Sequence, residues 1–106
     1  MEWIHFEDGK TVGTTGSEGG VILRDEECID GARITLEQDT HMGVPFAITC
    51  GVYSWLVHVR FIADMPTAED AYDKMKLGLE DVLASLASEE PDVIDTAVQD
   101  FMDRYP

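Results

Sequence analysis

The spacing of apolar residues changes at Asp64-Met65-Pro66, and this change constrains the fold more than any other feature of the chain. Before it, apolar and polar residues alternate in short runs, as in strands with one wet face. After it, apolar residues recur about every 3.6 positions, the repeat of a helix lying on a core. Strands followed by helices, rather than alternating with them, are the pattern of an α+β domain.

Upstream of the change, Trp3 to Phe6 reads as a strand, Asp8-Gly9 as a hairpin turn and Thr11 to Thr15 as a second strand. After the glycine-rich stretch Gly16 to Gly20 comes a strand at Val21 to Asp25, then an acidic loop through Asp30-Gly31. Ala32 to Gln38 follows, with Ile34 and Leu36 alternating with Arg33, Thr35 and Glu37. The strongest strands are Phe46 to Tyr53 and Ser54 to Ala63, rich in Val, Ile, Phe, Trp and Tyr. With almost nothing between them they predict a tight hairpin. The expectation is an antiparallel sheet of about five or six strands over residues 3–63.

Downstream, Thr67 followed by Asp70 predicts a helix cap. Ala68, Ala71, Tyr72, Met75, Leu79, Val82, Leu83 and Leu86 then form one apolar stripe, to about Ala87. Glu89-Glu90-Pro91 ends that helix and opens another, with Pro suited to a first turn and Ile94, Val98, Phe101 and Tyr105 as its stripe. Two helices, about 67–87 and 91–104, are expected on one face of the sheet. A chain of 106 residues holds one hydrophobic core, which makes residues 1–106 a single domain.

Period two assigns faces to the last two strands, provided their register is known. Trp55, Val57, Val59 and Phe61 are expected in the core, leaving Leu56, His58, Arg60 and Ile62 outside. Added to Thr49, Tyr53, Arg33 and Thr35, that second set makes a mixed polar, aromatic and basic face flanked by aliphatic residues. Such a composition resembles an interface, and Arg33, Thr35, Thr49, Tyr53, Leu56, His58, Arg60 and Ile62 are the candidate binding face. A loop, the second helix or a second copy of the chain would serve equally to cover Leu56 and Ile62. A homodimer through this face or a sheet edge is the simplest such cover.

The charge excludes some partners: 22 Asp and Glu against seven Lys and Arg give a formal net charge of -15. A negative field of that size repels nucleic acid and anionic membranes and attracts basic proteins. The acids are denser after the change of period, where 12 acidic and three basic residues occupy 64–106. The N-terminus has no basic region followed by an apolar run, and no stretch reads as a membrane span, so a cytoplasmic location is expected. Two cysteines outside any CxxC, Cys28 and Cys50, read as free thiols.

No motif carries a catalytic reading. Gly13, Gly16, Gly19 and Gly20 are followed by a strand and no Lys, which favours a hairpin or bulge over a phosphate loop. His5, His41 and His58 fall in no metal-ligand spacing, and the acidic loop lacks the spacing of a calcium-binding loop, so no metal or cofactor is expected. Cys50 and His58 are the one thiol and imidazole that adjacent strands could bring close, and alternation puts them on opposite faces. The leading expectation is therefore a non-enzymatic acidic interaction module, an inhibitor-like or immunity-like binder of a basic partner. The alternative is a small-molecule binder, or an enzyme without a legible motif, using the outer sheet face or the cleft between sheet and helices.

Overall fold

The computed structural model describes residues 1–41 and 43–106. Five strands form one antiparallel meander in the order β1-β2-β3-β4-β5: β1 (Trp3–His5), β2 (Val21–Cys28), β3 (Ala32–Gln38), β4 (Phe46–Val52) and β5 (Leu56–Ile62). Two helices follow, α1 (Met65–Ser85) and α2 (Pro91–Arg104), joined by the 3-10 turn Leu86–Ser88. This is the α+β arrangement expected from the change of period.

The helix-side core is built from Cys28, Ala32, Ile34, Leu36, Ile48, Cys50 and Val52 of the sheet and Ala68, Tyr72, Met75, Leu79, Val82 and Phe101 of the helices. α1 begins two residues before the predicted cap. Asp64, with extended backbone, accepts a hydrogen bond from the Thr67 amide at 2.9 Å, and Pro66 sits in the first turn, where its missing N–H costs nothing. α2 can lie close to α1 because residue 78 is glycine: a Cβ there would stand 2.8 Å from the Tyr105 ring and 2.9 Å from Phe101.

The N-terminal third departs from expectation. Glu7 and Asp8 adopt left-handed backbone, so Phe6–Gly9 winds into a 3-10 turn instead of a hairpin, and residues 11–15 form no strand. The Phe6 ring stacks on the Arg33 guanidinium at 3.5 Å, which draws the chain across the outer sheet face. From Lys10 to Gly20 it makes an excursion over that face and returns through a short turn. There the Gly13 amide donates to Ile22 O, the Ile22 amide donates to Thr14 O, and Thr15 bridges Val21. The expected acidic loop is likewise shorter, because β2 runs on to Cys28. Its acids tolerate the sheet since Asp25 pairs with Arg33, and Glu26 with Lys76 and Arg24.

The faces of β5 are the reverse of those predicted. Val52 is the Cα partner of Leu56 and Cys50 of His58, and cross-strand partners share a face. β4 turns Ile48, Cys50 and Val52 inward, so β5 must turn Leu56, His58, Arg60 and Ile62 to the helix side. Leu56 and Ile62 are each 6% exposed, whereas Val57 is 84% exposed. The connection comprises Tyr53, Ser54 and Trp55, with Ser54 in left-handed backbone. Both residue sets of β5 are largely apolar, so only the length of that connection reveals the phase.

Candidate functional site

The eight residues of the predicted face fall on two sides of the sheet. Arg33, Thr35 and Thr49 lie on the outer face, with Tyr53 exposed at its rim. Leu56, His58, Arg60 and Ile62 lie on the helix side. Leu56 and Ile62 belong to the core. The His58 ring packs edge-on to Phe101, and its Nε2 donates to the Tyr105 carbonyl oxygen. Leu56, His58 and Ile62 thus serve the docking of sheet and helices, and Arg60 is half-buried on the same side.

On the outer face the sequence builds a different site. Buried Glu37 projects outward from β3 and accepts hydrogen bonds from the backbone amides of Gly20 at 3.0 Å and Glu18 at 3.2 Å. The approach is close enough to require glycine. A Cβ at Gly16 would lie 2.3 Å from the Glu37 carboxyl carbon, and one at Gly20 would lie 2.4 Å from Gln38 O. The glycine stretch forms a turn, as expected, with the Gly16 amide donating to Gly20 O and the Gly19 amide to Gly16 O, and that turn lies against the chain's own Glu37 carboxyl group.

Held up by that latch, the excursion overhangs the sheet and encloses a groove of about 740 Å³. Its floor is Thr35 and Thr49 with Gly51, its overhanging wall is Thr11, Thr14, Thr15 and Ser17, and its far end is Tyr53, Trp55 and Val57. Ser17 and Thr49 hydroxyls approach to 3.4 Å across it. The Thr11 hydroxyl oxygen is buried without a hydrogen-bond partner among the described residues.

Among the described residues, Arg33 is the one formally charged residue along the groove. Its Nε and Nη2 donate to the two carboxylate oxygens of Asp25 at 3.0 and 2.7 Å, and Thr35 donates to Asp25 Oδ1 at 3.0 Å. The hydrogen bond to Asp25 raises the Arg33 pKa further, so the guanidinium is permanently charged and permanently paired. Among the described residues no carboxylate lines the groove, in a chain with 22 of them. A neutral floor with many hydroxyls and an aromatic rim offers hydrogen bonds and apolar contact without net charge.

Two further cations, Lys76 and Arg24, serve the fold. Lys76 and Arg24 reach Glu26 at 2.9 and 3.2 Å, and Tyr72 donates to it at 2.9 Å. Burial opposes ionisation of Glu26, but the hydrogen bonds from Lys76 and Tyr72 and the two positive charges hold its carboxyl below the ordinary range. Arg24 also pairs with Glu69 and Asp73 while its guanidinium lies 4.0 Å over the Tyr72 ring.

Cys50 and His58 share a face, contrary to expectation. Burial pushes the Cys50 thiol up to about 12, which disfavours the thiolate, and the His58 ring is engaged by the Tyr105 carbonyl oxygen. Among the described residues no three His, Cys, Asp or Glu side chains are grouped to hold a metal ion, and no helix is long and apolar enough to cross a membrane.

Sequence reasoning missed Thr11, Thr14, Thr15, Ser17, Trp55 and Val57. One signal pointed to part of this set: between Asp39 and Asp64 there is not a single Asp or Glu. Comparison with protein-family models, curated proteins and solved structures gives no match.

Proposed function

We propose that this chain is a non-enzymatic binding module whose ligand is an uncharged small molecule held in the outer-face groove. The observation that carries the reading is the absence, among the described residues, of any carboxylate from the lining of a groove of about 740 Å³, in a protein whose formal charge is -15. Ligand sites commonly occupy about 300–1,000 Å³ and combine an apolar lining with a few convergent polar groups, and this groove has both properties. The Thr11 hydroxyl, buried without a partner among the described residues, adds a polar group to the lining. A ligand with an apolar or aromatic body to meet Trp55 and Val57, and hydroxyl or amide groups to meet the threonines, fits these features.

A thermal-shift screen of neutral metabolites, run beside acidic and basic ones, tests this directly. A neutral compound should raise the melting temperature, by linkage, and Ser17→Trp should abolish the shift by filling the groove from its exposed wall. Stabilisation by none of the neutral compounds, or a shift untouched by Ser17→Trp, would remove the reading.

A second reading, a module for a basic protein partner, is favoured by a different surface. Glu89, Glu90, Asp92, Asp95, Asp100 and Asp103 are all exposed on α2 and its approach, and among the described residues none of them is in an ion pair. Association through that strip would weaken steeply with salt. Titration with a basic protein at low and physiological salt separates the two readings, since groove binding by a neutral ligand is indifferent to salt.

A further inference from the structure

We propose that β5 is a self-pairing edge, through which two copies of this chain join their sheets antiparallel about Val59. The inference begins from the two margins of the sheet and needs no ligand, although one of its residues, Val57, also lines the groove, whereas Phe61 does not. At one margin, three-residue β1 and the N-terminal excursion shield β2. The other margin is β5, seven residues paired in unbroken register with β4, and among the described residues its backbone bonds to no other element. Edges like this are usually protected by charged side chains, Pro or a bulge; β5 has no Pro and no bulge, and its single charge, Arg60, stands on the helix side.

The occupant follows from the strand's own order, Leu56-Val57-His58-Val59-Arg60-Phe61-Ile62. Turned about Val59, the strand sets Val57 against the second copy's Phe61, Val59 against its counterpart, and Leu56 against the second copy's Ile62. His58 meets Arg60 as the one polar pair. On the outer face every opposed pair is apolar, with Val57 84% and Phe61 45% exposed in the single chain. Cross-strand apolar pairs of this kind set register while the main-chain ladder supplies affinity.

Charge narrows the partner to a second copy. The run from Thr40 to Ala63 holds no acid, whereas the remaining residues hold all 22. Two molecules of the same strong negative charge can approach most closely through that hairpin. A basic partner would be drawn to the acidic helices instead. Pairing about a two-fold axis normal to the sheet would also place both grooves on one side of a ten-stranded sheet.

Light scattering and sedimentation of the full chain test this, with dimerisation strengthening as sodium chloride is raised. Val57→Lys and Phe61→Glu, both at exposed outer positions, should each raise the dissociation constant roughly tenfold or more while circular dichroism stays unchanged. An equimolar mixture of the two variants should recover a heterodimer, because the antiparallel register sets the new Lys opposite the new Glu. A wild type that stays monomeric at its highest soluble concentration in physiological salt overturns the proposal. A dimer indifferent to Val57→Lys overturns it equally, and failure of the mixture to recover pairing overturns the Val59-centred register.

Discussion

Glu37 shows how far one side chain can determine a surface. Its burial is compensated by amide donors from a loop that only glycine can bring so near, and the groove exists because that loop is held off the sheet. Glu37→Ala should cost about 1–3 kcal/mol in urea unfolding, the penalty of leaving buried donors unsatisfied. Gly20→Ala should cost a similar amount, about 1–3 kcal/mol, by forcing Gln38 backbone away. Both variants should also lose ligand protection in the thermal-shift assay. Cys50 makes a different prediction at the same scale. Its thiol is raised from the ordinary 9.0 to about 12 in the folded chain, so the neutral form is favoured on folding. The stability this contributes is complete below pH 9 and is lost as pH rises toward about 12. Native protein should resist thiol reagents at neutral pH, and Cys50→Ala should flatten the alkaline fall of the unfolding midpoint.

Among the elements, α1 and β2 are tied by Glu26, whose carboxyl is held below its ordinary value of 4.5 by Lys76, Tyr72 and Arg24. A lowered carboxylate pKa means stability that is present above 4.5 and is lost as pH falls through the folded value. Unfolding midpoints measured through that acid range should drop, and Glu26→Gln should remove this component of the drop while lowering stability at neutral pH. The junction of α1 with α2 rests on Gly78, and Gly78→Val should cost roughly 1–3 kcal/mol by overpacking against Phe101 and Tyr105. Hydrogen exchange should then show α2 opening first.

The elements also mark where the sequence could be read. The helices and β3 were legible because each carries a single dominant period, and β4 and β5 were legible as strands from their Val, Ile and Phe content. The N-terminal strand pair was not, because Asp8-Gly9 serves equally well as a hairpin turn or as the end of a helical turn, and the Phe6–Arg33 stack that decides between them spans 27 residues of sequence. The candidate site was half legible. Arg33, Thr35 and Thr49 could be placed because Ile34 and Leu36 are unmistakably core. Leu56, His58, Arg60 and Ile62 could not, because β5 is apolar on both faces and a three-residue connection, where almost none was expected, inverts it.

At the scale of the whole molecule, 22 acids against seven bases leave strong self-repulsion in the folded state. Raising sodium chloride should therefore raise the melting temperature of the monomer-forming Val57→Lys variant as well as the wild type, by screening rather than by association. The hairpin of β4 and β5, free of carboxylates for 24 residues, gives this charge a direction. A molecule so built is an electric dipole as well as a polyanion. On a positively charged bead it should settle with the helices down and the groove turned to the solvent, so that adsorption itself becomes a way of presenting the groove.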